Sequence, residues 1–362
     1  MNHQINSNTY VAIMAGGIGS RFWPASRESR PKQFLDIMGV GKSLIQLTYE
    51  RFLKLVPKEN ILVVTNEVYR DLVKEHLPAL TDNQILGEPS RNNTAPCIAY
   101  TAFKLEQLNP EANLIVAPSD HIILKEDVFV ERLEEALAFT ANNNALLTLG
   151  IEPTRPDTGY GYIQYEKTEE KVKKVKQFTE KPPLETAKAF VKSGDYLWNA
   201  GIFIWKVEHL LSAFEAYAKE IYNLLSAGKD KYNTKEEQAF IDEQYPKTPS
   251  ISIDFAIMEK ADNIYTIPAS FGWSDLGTWK SLYVESDKDQ NENVVVGERV
   301  VIEDCTSNLI RMPKDKLLVM KGLEDYIIID EGDVLVIYPK SKEQEIKQVT
   351  QQIKEKYNSD YA

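Results

Sequence analysis

Four short runs of uninterrupted apolar residues, separated by longer amphipathic stretches, constrain the fold of this chain more than any other feature. Tyr10-Val11-Ala12-Ile13-Met14, Ile61-Leu62-Val63-Val64, Leu114-Ile115-Val116-Ala117 and Leu146-Leu147-Thr148-Leu149 show almost no polar alternation. A strand buried on both faces reads this way, whereas a strand with one solvated face alternates. The amphipathic stretches predict helices around 43–56, 67–77, 95–107 and 127–140. Strand and helix in alternation predict an α/β fold with a Rossmann-like, mostly parallel sheet and helices on both faces. Ligands of such sheets bind beyond the carboxyl ends of the strands, so the segments directly after the apolar runs are where chemistry is expected.

The remaining chain reads differently. From about 160 to 280, β-rich pieces at 161–165 and 172–179, a helix near 184–193 and the apolar run Ile202-Phe203-Ile204-Trp205 suggest an insertion that covers the ligand site. Beyond about 287, short runs such as Asn293-Val294-Val295-Val296, Leu317-Leu318-Val319-Met320, Tyr326-Ile327-Ile328-Ile329 and Val334-Leu335-Val336-Ile337 alternate with Gly, Asp and Pro turns, the pattern of a small all-β domain. Ser341 and Gln344 have capping-box spacing ahead of Ile346, Val349 and Ile353, which predicts a closing helix. With 362 residues the chain exceeds what one core usually supports, and the expected division is a catalytic domain over 1–286 and a small β domain over 287–362.

Charge and cysteine content exclude several classes of function. A net charge of −12 argues against general affinity for nucleic acid, whose phosphates require clustered Lys and Arg. No apolar run approaches the roughly 18 residues of a membrane span, and the polar start MNHQINSNTY lacks a secretory signal, so a cytoplasmic protein is expected. Cys97 and Cys305 are too few and too far apart for a disulfide framework or a CxxC metal site, and are expected as buried thiols.

Phosphate binding must therefore rest on locally gathered cations. Ala15-Gly16-Gly17-Ile18-Gly19-Ser20-Arg21 comes directly after the first apolar run, and its glycines allow backbone N–H groups to approach a phosphate chain while Arg21 adds charge. Phe22 stands where a dinucleotide fingerprint requires its third glycine, and Asp36 stands where Gly41-Lys42-Ser43 would require the first glycine of a P-loop. Arg27, Arg30 and Lys32 come next, with Pro31 biasing Arg30 toward an extended backbone. Read singly, the glycines are as well explained by a structural turn, and the cations by a solvated charge run.

Read together, the GGxGxR and PKQF segments give a pattern that resembles the nucleotidylyltransferases that make sugar nucleotides, and in its PKQF form the mannose-1-phosphate guanylyltransferases. The likeness continues through Glu88-Pro89, Asn93-Thr94-Ala95-Pro96, Pro118-Ser119-Asp120-His121, Thr158-Gly159-Tyr160-Gly161-Tyr162, Thr179-Glu180-Lys181-Pro182, Asn199-Ala200-Gly201-Ile202-Phe203, Ser252-Ile253-Asp254-Phe255 and Trp273-Ser274-Asp275-Leu276-Gly277. It spans about residues 10–280. Asn92 stands where the resembling enzymes often carry arginine, with Arg91 one place earlier. Longer, bifunctional relatives continue into a cupin-like isomerase domain, so no isomerase activity is expected of this chain.

The resemblance implies GTP and mannose 1-phosphate as substrates, GDP-mannose and pyrophosphate as products, and Mg²⁺ as cofactor. Catalytic roles fall to Arg21, Lys32, Asp120 and Lys181, and nucleotide contacts to Gly16, Gly17, Gly19, Ser20, Glu88, Asn93, Thr94 and Ser119. Gly161, Glu180 and Asn199 are assigned to the sugar. As neighbours in an extended segment, Glu180 and Lys181 should point to opposite faces. Asp120, just past a strand end, and Asp275, in a Gly-flanked turn, are the expected metal ligands, since carboxylates and phosphate oxygens suit the octahedral preference of Mg²⁺; a lone Asp in a loop is otherwise more often a turn or cap residue. The four histidines, at 3, 76, 121 and 209, lack metal-ligand spacing, and His121 is expected only to support its loop. A homodimer is expected, with residues 287–362 in the contact. Two other functions stay open: a nucleotidylyltransferase for glucose 1-phosphate with dTTP or UTP, and a regulatory subunit that binds sugar nucleotides without turnover.

Overall fold

All four continuous apolar runs are strands: Thr9–Met14, Ile61–Asn66, Asn113–Pro118 and Leu146–Ile151. The structure, a computed structural model, describes residues 8–357 and Tyr361. A nine-stranded sheet runs in the order Ile85–Glu88, Ile61–Asn66, Thr9–Met14, Asn113–Pro118, Tyr196–Lys206, Leu146–Ile151, Ile264–Ala269, Lys173–Thr179 and Tyr162–Tyr165. Its first four strands are parallel, in the registers Val63↔Ile85, Ile13↔Val63 and Ile13↔Ala117. Tyr196–Lys206 is antiparallel to both of its neighbours, Leu146–Ile151 and Ile264–Ala269 are parallel, and the remaining pairings are antiparallel.

The sheet is therefore mixed, not mostly parallel. An interior strand buries both faces whichever way it runs, so the apolar Ile202–Trp205 run carried no mark of direction. Nor is the stretch from 160 to 280 an insertion beside the sheet, because four of its segments are strands within it. Side chains alternate along the parallel strands: Tyr10, Ala12, Leu62, Val64, Leu114 and Val116 join one core with Phe103 of helix Thr94–Leu108 and Leu210 of helix Val207–Tyr217. Val11, Ile13, Val63 and Ile115, on the opposite face, are equally buried.

This sheet belongs to a compact unit made of Met1–Gly16, Thr48–Ser119 and Ile123–Trp273. A second unit gathers Gly17–Leu47, Asp120–Ile122 and Ser274–Ala362, so the boundary read at 286–287 falls inside it. Packing gives the reason. Phe22, Trp23, Leu35 and Ile37 from the N-terminal segment share one core with Trp279, Leu309, Ile327 and Ile346 from the C-terminal one.

Within the second unit, Val294–Val296, Leu309–Arg311 and Tyr326–Asp330 pair in parallel as one small sheet, and Val300–Glu303 pairs in parallel with Leu318–Lys321 in another. Consecutive strands thus alternate between two sheets, with Cys305, Ile310, Met312, Met320 and Ile328 packed as a core. Leu335–Pro339 closes the first sheet antiparallel to Tyr326–Asp330. A 3₁₀ turn over Lys340–Glu345 leads into the closing helix Ile346–Tyr357. The expected capping box is not formed, since the turn begins after Pro339 without a side-chain cap and Gln344 donates to Glu343. Cys97 and Cys305 are buried free thiols. No helix among the described residues is long and apolar enough to cross a membrane.

Candidate active site

Two groups of the predicted residues assemble, one in each unit. In the second unit the glycine loop turns at Gly19, whose φ of 72° lies in the left-handed region. A Cβ there would stand 2.4 Å from Cβ of Lys32, so both conformation and close approach require glycine. The Ser26 hydroxyl donates to the Gly19 carbonyl at 2.6 Å, and the Lys32 N–H donates to the Ile18 carbonyl at 3.0 Å. These bonds fix Lys32 against the loop. Its side chain is only 3% exposed, with the ammonium 5.2 Å from the centre of the Phe22 ring.

A buried lysine needs a counter-charge, and Lys32 Nζ donates to Asp120 Oδ2 at 3.0 Å and to the Asp275 carbonyl at 3.0 Å. Burial pushes the Asp120 pKa up, but the charges of Lys32 and His121 and the Lys32 hydrogen bond outweigh it, holding the carboxyl below its ordinary value. Asp120 is therefore ionised at neutral pH. Gly19, Ser20, Arg21, Lys32, Asp120, Asp275 and Gly277 line one cleft of about 320 Å³, completed by His121 and Lys347. The Asp275 carboxylate accepts the Gly277 N–H at 3.1 Å.

Among the described residues no three His, Cys, Asp or Glu side chains come together as a metal cage. The two carboxylates of the cleft, Asp120 and Asp275, are nonetheless donors that suit a hard cation, and a cation bound there would complete its shell with phosphate oxygens and water.

In the first unit, Glu88 ends strand Ile85–Glu88 and is buried, with Oε1 accepting the hydroxyl of the fully buried Tyr245. Burial raises the Glu88 pKa to about 7 against the lowering effect of that bond. A Cβ on Gly16 would lie 3.4 Å from Glu88 Oε2, which brings the start of the glycine loop next to this carboxylate. Asn93 caps helix Thr94–Leu108, its side chain accepting the Thr94 N–H at 2.9 Å, while Thr94 Oγ1 accepts the Ile253 N–H at 2.9 Å. Ser119 is buried, and its carbonyl accepts from Thr48 Oγ1 at 3.1 Å. Asn92, the residue in place of the usual arginine, is a buried tie: its amide donates to the carbonyls of Tyr245 and Thr248. Arg91 donates to the Tyr69 hydroxyl at 2.8 Å.

The residues assigned to the sugar also meet in this unit. Asn199 accepts from Thr148 Oγ1 at 3.0 Å and donates to Asp254 Oδ1 at 3.0 Å, and its N–H donates to the Gly161 carbonyl at 2.8 Å. A Cβ on Gly161 would lie 2.5 Å from Glu180 Oε2, so a larger residue would displace that carboxylate. Lys181 pairs with Glu180 at 2.5 Å. The two side chains do not point to opposite faces, because the backbone at Lys181 has a φ of 45° and leaves the extended conformation.

Sequence reasoning gave no role to Asp254 or Lys347. Asp254 opens the π-helical turn Asp254–Met258 and reaches Asn199; burial and the charge of Glu180 raise its pKa to about 6. Its place inside the Ser-Ile-Asp-Phe motif was the signal available. Lys347 gave none, as one exposed lysine in a lysine-rich helix.

Residues 10–292 match the family model described as nucleotidyl transferase. The chain is 37% identical over 355 residues to the mannose-1-phosphate guanylyltransferase RfbM of Salmonella typhimurium, an alignment covering 96% of this chain and 73% of that protein. It is 35% identical over 364 residues to mannose-1-phosphate guanylyltransferase 2 of Escherichia coli O157:H7, covering 97% and 74%. Among solved structures, it is similar to one from Thermus thermophilus described as a mannose-1-phosphate geranyltransferase, with 30% identity, a TM-score of 0.87, and 96% of this chain and 99% of that one covered.

Proposed function

Because the chain belongs to the nucleotidyl transferase family, we propose that it transfers GMP from GTP to mannose 1-phosphate, giving GDP-mannose and pyrophosphate. The observation that carries this reading is the buried Lys32, held by Asp120 and the Asp275 carbonyl in a cleft that also contains Arg21 and the glycine loop. Such a cleft suits a polyanion, although the whole chain has a net charge of −12.

A phosphate monoester has its second pKa near 6, so mannose 1-phosphate is largely dianionic at neutral pH and needs no general base. One of its oxygens forms a bond to the α-phosphorus as the bond from that phosphorus to the bridging oxygen breaks. The electron pair leaves with pyrophosphate, and no covalent enzyme intermediate forms. The barrier is repulsion between anions, so positioning and charge stabilisation make up the catalysis. Arg21 and Lys32 neutralise the triphosphate, Ser20 and the N–H groups of Gly16, Gly17 and Gly19 contact its oxygens, and Lys181 holds the sugar phosphate. Glu88, Asn93, Thr94 and Ser119 contact the nucleotide; Gly161, Glu180 and Asn199 bind the sugar.

Asp120 and Asp275 are the residues that would hold Mg²⁺. When bound, Mg²⁺ supplies charge neutralisation at the phosphate oxygens. The small parallel sheets at 294–330 fit a short left-handed β-helix, and the setting that fits all of this is the cytoplasm.

The decisive experiment measures initial rates of pyrophosphate release for GTP, dTTP and UTP against mannose 1-phosphate and glucose 1-phosphate. We expect GTP with mannose 1-phosphate to be fastest. Preference for dTTP or UTP with glucose 1-phosphate would replace the substrate assignment, and no release with any pair would favour a binding subunit without turnover.

A further inference from the structure

We propose that Lys347, on the C-terminal closing helix, is a further phosphate-binding residue that engages the β,γ-phosphates of the nucleotide and the pyrophosphate formed from them; this rests on the reading of the cleft as the triphosphate site. Lys347 lines the same cleft as Arg21, Lys32, Asp120 and Asp275. Its helix is anchored along the segment just past the glycine loop. Ile346 is buried in one core with Phe22 and Trp23, Lys354 pairs with Glu28 at 2.7 Å, and the Trp23 indole donates to the Tyr361 carbonyl at 2.6 Å. Arg27 adds a bidentate pair with Asp333, at 2.7 and 2.6 Å. Lys347 is thus carried on a backbone fixed to the loop it faces, although it lies far along the chain.

Three further observations point to an anionic ligand. Arg21, Lys32 and Lys347 bring three basic side chains to a cleft that holds two carboxylates, Asp120 and Asp275, and Lys32 is already paired with Asp120. Lys347 itself makes no hydrogen bond or ion pair with the described residues. Glu343, in the 3₁₀ turn that precedes the helix, accepts the Lys280 N–H at 2.8 Å. Finally, Lys347 sits in the first turn of Ile346–Tyr357, a turn without an acidic residue. A cation there opposes the helix dipole and adds nothing to the stability of the helix.

The test compares wild type with Lys347→Met and Lys347→Arg in the presence of Mg²⁺. Calorimetric titration is done with GTP, pyrophosphate and GMP, and pyrophosphorolysis of GDP-mannose is followed by its KM for pyrophosphate. One charge-assisted hydrogen bond corresponds to about a tenfold change. Lys347→Met should weaken GTP and pyrophosphate about tenfold and leave GMP unchanged, with Lys347→Arg recovering most of the loss. Equal affinity of wild type and Lys347→Met for GTP and pyrophosphate overturns the proposal, as does an equal loss for GMP. If wild type binds GTP and pyrophosphate but turns over no sugar phosphate, the proposed reaction fails while the role of Lys347 is still decided by the titrations.

Discussion

Glu88 couples stability of the fold to pH because its pKa of about 7 in the folded protein lies well above the value of an exposed glutamate. Between roughly pH 4.5 and 7 the native state binds more protons at this site than the unfolded state, so stability falls as pH rises. The contribution is complete at low pH and lost through the folded pKa. A shift of this size is worth on the order of 3 kcal/mol. Glu88→Gln keeps an acceptor for the Tyr245 hydroxyl and should therefore gain stability relative to wild type on going from pH 5 to pH 7.5. Urea unfolding at the two pH values reads this directly, and parallel curves would show that Glu88 stays ionised. Lys181 makes a separate prediction. It is 62% exposed and, among the described residues, paired only with Glu180, so Lys181→Met should cost little stability. It should lower efficiency toward the sugar phosphate by about one to two orders of magnitude, with GTP affinity in calorimetry nearly unchanged; a loss concentrated in GTP binding would move Lys181 to the triphosphate. At this scale much of the site was legible. Gly19, Arg21 and Lys32 come after one strand in a single compact motif, and Asp120 comes after another. Asp254 and Lys347 were not, since an aspartate in a loop and a lysine in a helix acquire meaning only from what stands opposite them.

Among the elements, the small parallel sheets depend on two buried asparagines. Asn308 donates to the Asn293 side-chain oxygen at 3.0 Å and to the Leu323 carbonyl at 2.8 Å, and accepts the Tyr326 N–H at 2.9 Å. Asn293 in turn donates to the Cys305 carbonyl at 2.9 Å. These bonds satisfy backbone groups at the bends where the chain passes between sheets. Asn308→Leu, which keeps the branched shape and the number of heavy atoms, would leave buried donors and acceptors unpaired, at a cost of about 3 kcal/mol. Thermal or denaturant unfolding should show that loss, and a change below 0.5 kcal/mol (about the scatter of surface substitutions) would mean that water replaces the side chain without penalty. Helices were legible where an apolar stripe or all-round burial marked them, as in Thr94–Leu108 and Glu126–Asn142. The strand Leu309–Arg311 was not, because three residues carry too little periodicity, and neither was Ile264–Ala269, because its internal Pro268 argues against a central strand.

For the whole molecule, the exposed apolar residues of the second unit bear on assembly. Val301 and Val319 face each other across their parallel pair and are 48% and 69% exposed, while the alternate residues Ile302 and Met320 turn into the core. An outward apolar pair of this kind fits the homodimer expected from the sequence, with residues 287–362 in the contact. Sedimentation should find a dimer, and Val319→Lys should shift it toward monomer with the fold retained; a full chain that sediments as a monomer would dismiss that contact. Domain organisation was the least legible feature. Composition changes near residue 287, but the second unit is assembled from three stretches of sequence, and no local pattern announces that Phe22 and Trp23 share a core with Trp279 and Ile346. That interleaving also sets an order in time. At roughly 5–20 residues per second of synthesis, the segment carrying Arg21 and Lys32 leaves the ribosome about fifteen seconds to a minute before the residues that enclose its apolar side chains. During that interval Phe22, Trp23, Leu35 and Ile37 lack their native cover, so the cation cleft is among the last parts of the newborn chain to be completed.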